Sequence, residues 1–478
     1  MIQLRLEHLC LLPEMSDILG AIIIARNGDR LTYYQDPVTY APSLTDSTAL
    51  GVTDLHFLGT QLRSEYLTPG SASFISSISG DVADTQQVNV LVKGGGEGHV
   101  VFDSAIALLQ GLYPPNPKNK LTLANGEVVT APLGGYQYIP LETVESGDWT
   151  DCPAFQRHIA SFYSSDAFKT KAKDAAGFFQ NVEPYIFGRP ATLENIWNIY
   201  DFMNTQFTYN KTYADSLPPT YLNQARALAD FHESGVYSDT HANEIGNIAG
   251  RTLLHPVLDA VERVALNDDP LKLMLVQTTY QPFISLFHQT EMTDEHPELA
   301  AIPNFGSALA IELRRGAPPD TRDFLRFKFQ NGTSDADGWR ILHAFGRRGD
   351  IPLTEFVYRI EGAAITSSKQ WAEVCSVVDL TLSGIQVAGK TSVRRWVQPF
   401  GHHAEFASRA EGAKVASNEQ WVRMTARNTS VQLTLCVILV VVVSGIVRAF
   451  RARRAHTQYF HVLQGESDQT RGEAQMDK

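Results

Sequence analysis

Apolar positions follow two rhythms along this chain. Ile18 to Ala25, reading ILGAIIIA, is a continuous and largely β-branched run that stops at a charged, glycine-containing loop. That is the pattern of a strand buried on both faces, delivering a loop to the edge of a sheet. Leu55, Leu58, Leu62 and Tyr66 recur at helical spacing and predict a helix over Thr48 to Tyr66. A second helix is predicted over Asp103 to Leu112, stopped by Pro114-Pro115. Leu253, Val257, Val261 and Val264 mark a third, and a strand over Lys272 to Tyr280 follows it. Leu325 to Phe329 and Ile351 to Val357 read as edge elements around the turn Asn331-Gly332.

Between these stretches the texture changes. Residues 141–240 carry aromatic-rich amphipathic segments, such as Ala154 to Tyr163 and Leu193 to Phe207, with few β-branched runs, and predict a mostly helical insertion. Strand and helix alternate on either side of it, so 18–140 and 241–375 form one discontinuous α/β domain. Residues 376–430 turn polar and Arg-rich, as a stalk would.

Val431 to Val447 is free of charge and runs directly into Arg448, Arg451, Arg453 and Arg454. Extended to Phe450 it reaches about 20 residues, the length a helix needs to span a membrane. The expectation is one transmembrane helix over 431–450 and a cytosolic tail over 451–478, with the preceding residues extracellular or lumenal. The net charge of −12 divides accordingly, because six Arg and Lys against four Asp and Glu make residues 448–478 net positive. This acidic balance argues against a nucleic-acid partner. Residues 1–17 show only a short apolar stretch, Leu9-Cys10-Leu11-Leu12, and read as a misannotated signal region. Sequons at Asn210, Asn331 and Asn428 fit a lumenal face. Cys10, Cys152 and Cys375 share that side, which allows one disulfide, while Cys436 falls in the membrane run.

The loop after the first strand is Arg26-Asn27-Gly28-Asp29-Arg30. Two guanidinium groups flanking a glycine can converge on one anion, and ligands of open α/β sheets bind at this strand end. Surface ion pairs are the alternative use of the same arginines.

With its preceding strand, this loop resembles the start of the branch-2 histidine phosphatases, which include the histidine acid phosphatases and phytases and whose signature is a strand followed by R-H-G-x-R. The likeness continues through Leu50-Gly51 and Leu58-Gly59-Thr60-Gln61-Leu62-Arg63, then Ser104-Ala105 and Leu109-Gln110-Gly111-Leu112-Tyr113-Pro114. It extends to Leu325-Arg326-Phe327-Lys328-Phe329, Asn331-Gly332 and Ile351-Pro352-Leu353-Thr354-Glu355-Phe356, so that it covers about residues 18–365. A membrane-anchored fungal subgroup is the best fit. The resemblance implies a phosphoglycerate mutase-like α/β fold and a phosphate or phosphomonoester ligand, with no cofactor and no metal.

It also exposes departures. The family's loop histidine attacks phosphorus, arginines hold the charge, and a later His-Asp pair supplies the proton for the leaving alcohol. Asn27 stands at the nucleophile's position, and a carboxamide nitrogen has no free lone pair with which to attack. Thr279 and Tyr280 stand at the position of the His-Asp pair and include no carboxylic acid. Arg26 and Arg30 are retained, with Lys93 as the nearest candidate for a further phosphate-binding cation. The resemblance therefore implies an inactive or impaired phosphatase-like protein, against the alternative of an active acid phosphatase with a rearranged site.

Other signals compete less well. Gly384 to Thr391 matches the P-loop spacing, yet only a short segment separates Thr391 from Pro399, too little for the long helix a nucleotide site opens. His232-Glu233 lacks a second histidine at helical spacing for zinc, and His402-His403 reads as a stalk pair. His288 and His296 are expected near the rim of the site. The stripe Trp197, Tyr200, Phe202 and Phe207 reads as the core of the insertion. Oligomeric state is left open.

Overall fold

The computed structural model describes residues 18–94, 99–144, 149–266 and 269–375. The proposed membrane helix, the stalk, the tail, the P-loop-like segment and Asn428 lie outside these residues. No helix among those described is long and apolar enough to cross a membrane.

The strands are β1 (Ile18–Arg26), β2 (Val88–Lys93), β3 (Lys120–Thr122), β4 (Val128–Thr130), β5 (Glu142–Val144), β6 (Leu273–Thr278), β7 (Ala308–Arg315), β8 (Asp323–Gln330), β9 (Arg340–Leu342) and β10 (Ile351–Pro352). One sheet runs in the order β10-β8-β7-β1-β6-β2-β5, with β9 beside β8, while β3 and β4 form a separate hairpin. β1, β6, β2 and β5 are parallel, and β7 joins β1 antiparallel. The continuous apolar run of β1 thus occupies the interior of the sheet, where both of its faces are covered.

Helices α1 (Ala49–Leu62) and α2 (Val100–Leu112) cover one face, packing Leu55, Leu58, Leu62, Leu108 and Leu112 on Ala21, Ile23, Leu273 and Leu275. Their mutual contact is backbone-close: a Cβ on Gly59 would lie 2.0 Å from the Leu108 carbonyl oxygen, and one on Gly111 2.0 Å from that of His56. A single turn, α3 (Pro132–Gly135), follows the hairpin. The insertion comprises α4 (Pro153–Ser164), α5 (Asp166–Asp174), α6 (Ala176–Val182), α7 (Ile196–Tyr209), α8 (Lys211–Ser216) and α9 (Tyr221–Val236). The opposite sheet face is covered by α10 (Ile248–Leu266), α11 (Gln281–Gln289) and α13 (Leu353–Ile360), with α12 (Met292–Glu295) and α14 (Ser368–Val374) as short flanking helices.

Two sequence expectations change. Ile351 to Val357 is not an extended edge: only Ile351–Pro352 is strand, and the helix α13 starts at Leu353. Its buried side chains Leu353, Phe356 and Ile360 are spaced for one helical face, a period hidden by the apolar start of the segment. At residue 141 the chain first returns to the sheet as β5, and the helical insertion follows. Its core is largely aromatic, and Cys152 at its start is disulfide-bonded to Cys375, 223 residues later, beside α14.

Candidate functional site

β1 and β6 are parallel neighbours whose carboxyl ends coincide, pairing Arg26 with Thr278. The loops they release are pinned together, as Asn27 N–H donates to the Thr278 carbonyl at 2.9 Å and Gly306 N–H donates to that of Asn27 at 3.1 Å. Gly28 N–H donates to Ser104 Oγ on α2 at 3.0 Å. The loop then presses against the start of α1. A Cβ on Gly51 would fall 2.2 Å from the Asp29 carbonyl oxygen, and one on Gly28 would fall 2.4 Å from that of Gly51. Glycine is required on both sides of this approach. Thr48 caps α1 by accepting from Gly51 N–H, and donates its hydroxyl to Asp29 Oδ2 at 2.6 Å.

Beyond this loop lies a cleft of about 440 Å³ that Arg26, Arg30 and Arg226 line together with Asp29, Asp54 and Asp201. Arg226 comes from α9 and Asp201 from α7, so the helical insertion forms one wall. Arg30 meets Asp201 at 2.8 Å and lies 3.9 Å over the Tyr33 ring. Asp230 grips Arg226 through two hydrogen bonds to Nε of 2.9 and 3.1 Å, and Arg226 donates on to the Tyr200 hydroxyl at 2.7 Å.

Arg26 differs from both. Its side chain is buried, lies 4.1 Å over Phe305 and donates to the Pro303 carbonyl, but its Nε has no partner. Among the described residues no carboxylate reaches it within ion-pair distance. Burial, then repulsion from Arg30 and Arg226, lowers its pKa from the ordinary guanidinium value to about 10. A buried cation without a counter-ion is costly, and an anion in the cleft would relieve that cost.

The positions expected to carry chemistry are arranged otherwise. Asn27 is buried and absent from the cleft lining, with Nδ2 donating to the Gly28 carbonyl at 2.8 Å. Thr279 is buried, its hydroxyl unpartnered among the described residues. Tyr280 turns away from the cleft to donate to Glu233 Oε2 at 2.7 Å, and its ring stacks on Trp197. Glu233 also accepts from Tyr40 at 3.2 Å and is 2.8 Å from His232, so this pair is a hub of the interior network. Lys93 lies 4.9 Å over Trp149, lining a separate small recess, and does not join the two arginines. His288 and His296 do not line the cleft either. Of the aromatic stripe, Trp197 and Tyr200 line the cleft, Phe202 is buried in the insertion core, and Phe207 is half exposed. Asn210 is an exposed cap of α8, and Asn331 Oδ1 accepts from Asn304 N–H at 2.8 Å.

No model of a protein family and no curated protein sequence matches the chain. Solved structures do. The phytase of Citrobacter braakii aligns with a TM-score of 0.50 at 12% identity, over 73% of this chain and 98% of its own. For the Klebsiella sp ASR1 phytase the values are 0.50, 14%, 73% and 96%. For the Hafnia alvei phytase solved with tartrate they are 0.50, 12%, 74% and 98%. The chain has the phytase fold.

At such identity the likeness establishes the fold alone, and the cleft must be judged on its own residues. Arg226, Asp201, Asp54 and Phe305 escape a reading of the sequence, since each reaches the cleft from a different element. The paired spacing of Arg226 and Asp230 on an amphipathic helix was the one local signal available. A second cleft of about 490 Å³ lies where β1 begins, but there Arg314, Arg315 and Arg326 face Glu312, Asp323 and Asp350. Those three arginines are already matched and Arg348 beside them is exposed, whereas Arg26 is buried and unmatched.

Proposed function

We propose that this phytase-fold protein binds phosphate or a phosphomonoester in the cleft around Arg26 and turns it over poorly or not at all. The observation that carries the reading is Arg26 itself, buried at the carboxyl end of β1 without a counter-ion, with Arg30 and Arg226 beside it. Support for lost catalysis comes from the groups nearby: an amide turned onto backbone at Asn27 and a phenol bound to Glu233 at Tyr280. The competing reading, an acid phosphatase with a rearranged site, would need a nucleophile and a proton donor from the cleft lining.

The same reading places the protein as a single-pass membrane protein of the fungal-type histidine acid phosphatase branch, anchored through residues 431–450 with a glycosylated ectodomain outside the cytosol. The buried Cys152–Cys375 disulfide suits an oxidising compartment. The full chain, assayed from about pH 3 to 7 with a generic phosphomonoester, should give no robust turnover, while inorganic phosphate should raise its melting temperature. Turnover abolished by Arg26→Ala but kept in Asn27→Ala would establish the rearranged enzyme instead.

A further inference from the structure

The charges lining the cleft do not cancel evenly. Arg30 is matched by Asp201 at 2.8 Å, and Arg226 by Asp230 at 2.9 Å. What remains on the lining is one buried cation, Arg26, and two carboxylates, Asp29 and Asp54. Asp29 is held by hydroxyls only, those of Thr48 and Tyr209, and neither it nor Asp54 has a cationic partner among the described residues. Asp54 sits one helical turn into α1, within electrostatic reach of Asp29, and accepts from Thr333 on the facing loop. Burial, opposed by that hydrogen bond and reinforced by Asp29, raises its pKa.

We propose that the cleft is built for a zwitterion, an aminoalkyl phosphate monoester, with its phosphate on Arg26 and its ammonium between Asp29 and Asp54. The assignment rests on the phosphate reading above and narrows it. A phosphate alone satisfies Arg26 and leaves two facing carboxylates repelling each other. A polyanion would be pressed against them, whereas an ammonium supplies three donors for their oxygens and removes the repulsion. The separation of charge is also a selectivity device, since a ligand of one sign gains at one end of the cleft and loses at the other.

The test is calorimetric titration of the full chain with three probes: 2-aminoethyl phosphate, ethyl phosphate and inorganic phosphate. The aminoethyl ester should bind about tenfold more tightly than the ethyl ester, and Asp54→Asn should bring that ratio close to one. Equal or tighter binding of ethyl phosphate by the unmodified chain overturns the zwitterion assignment while leaving the phosphate site standing. A ratio unchanged in Asp54→Asn and in Asp29→Asn also overturns it. If none of the three probes binds, the phosphate reading itself fails, and the assignment with it.

Discussion

Tyr280 donates its hydroxyl to Glu233 at 2.7 Å while its ring stacks on Trp197, the centroids 6.0 Å apart. Burial first, and then the Glu233 charge, push its pKa well above the ordinary phenol range. A group that holds its proton so firmly, and spends it inside the fold, does not protonate a leaving alcohol.

Restoring a histidine alone should therefore not restore chemistry. Asn27→His is expected to leave phosphomonoester turnover at background, because the imidazole would lack a proton donor opposite it. Assays with substrate in large excess over enzyme check this, and multiple turnovers would show that another group serves as the acid.

Arg26 costs stability in the unliganded chain. Its folded pKa of about 10 lies below that of the free guanidinium, so the folded state binds the proton less tightly than the unfolded state. The charged form is therefore penalised below about pH 10, and the penalty fades only as pH rises from there toward the pKa of the free guanidinium. Arg26→Met should stabilise the ligand-free protein at neutral pH by about 1 kcal/mol and abolish the stabilisation by phosphate. Thermal melts with and without phosphate measure both effects.

Asp54 shifts in the opposite direction. Its raised folded pKa means the folded state binds the proton more tightly than the unfolded one, so the ionised carboxylate costs stability above that pKa. The cost is relieved as pH falls through it. Asp54→Asn should melt higher than the parent at neutral pH, with the difference closing in the carboxylate range. A pH series of melting temperatures reads the crossing directly.

The disulfide joins the first residues of the helical insertion to the end of the described α/β domain. Cys152→Ser should lower stability by about 3 kcal/mol, since the bridge closes a long loop in the unfolded chain. Denaturant unfolding under non-reducing conditions tests this; Cys10 and Cys436 leave two reactive thiols in the unreduced, denatured parent, and four would contradict the bridge.

Gly51→Ala should damage the fold and the cleft together. The added methyl would meet the Asp29 backbone at 2.2 Å, so the loop bearing Arg26 and Arg30 must move. A loss of about 1–3 kcal/mol is expected, together with weakened phosphate binding. Binding at parental strength would mean that the loop adapts without cost to the site.

Much of the scaffold was legible locally. ILGAIIIA announced a central strand because burial on both faces demands continuous apolar residues, and Leu55, Leu58 and Leu62 announced α1 through a single helical stripe. The strand β7 stayed hidden because Glu312 and Arg314 interrupt its apolar run. Its carboxylate is tolerated in the core only because Lys328, Arg314, Ser73 and Tyr66 converge on it from elsewhere.

The candidate site divides in the same way. Sequence by itself determined the chemical identities: two arginines around a glycine, an asparagine between them, and no carboxylic acid at Thr279-Tyr280. These are properties of covalent structure that no packing alters. Tertiary structure alone decided which charges are matched. Asp201 and Arg226 reach the cleft from separate helices, Asp230 and Asp201 neutralise two arginines, and Arg26 is left buried without a counter-ion facing Asp29 and Asp54. Electrostatic balance depends on distance and burial, and chain folding sets both.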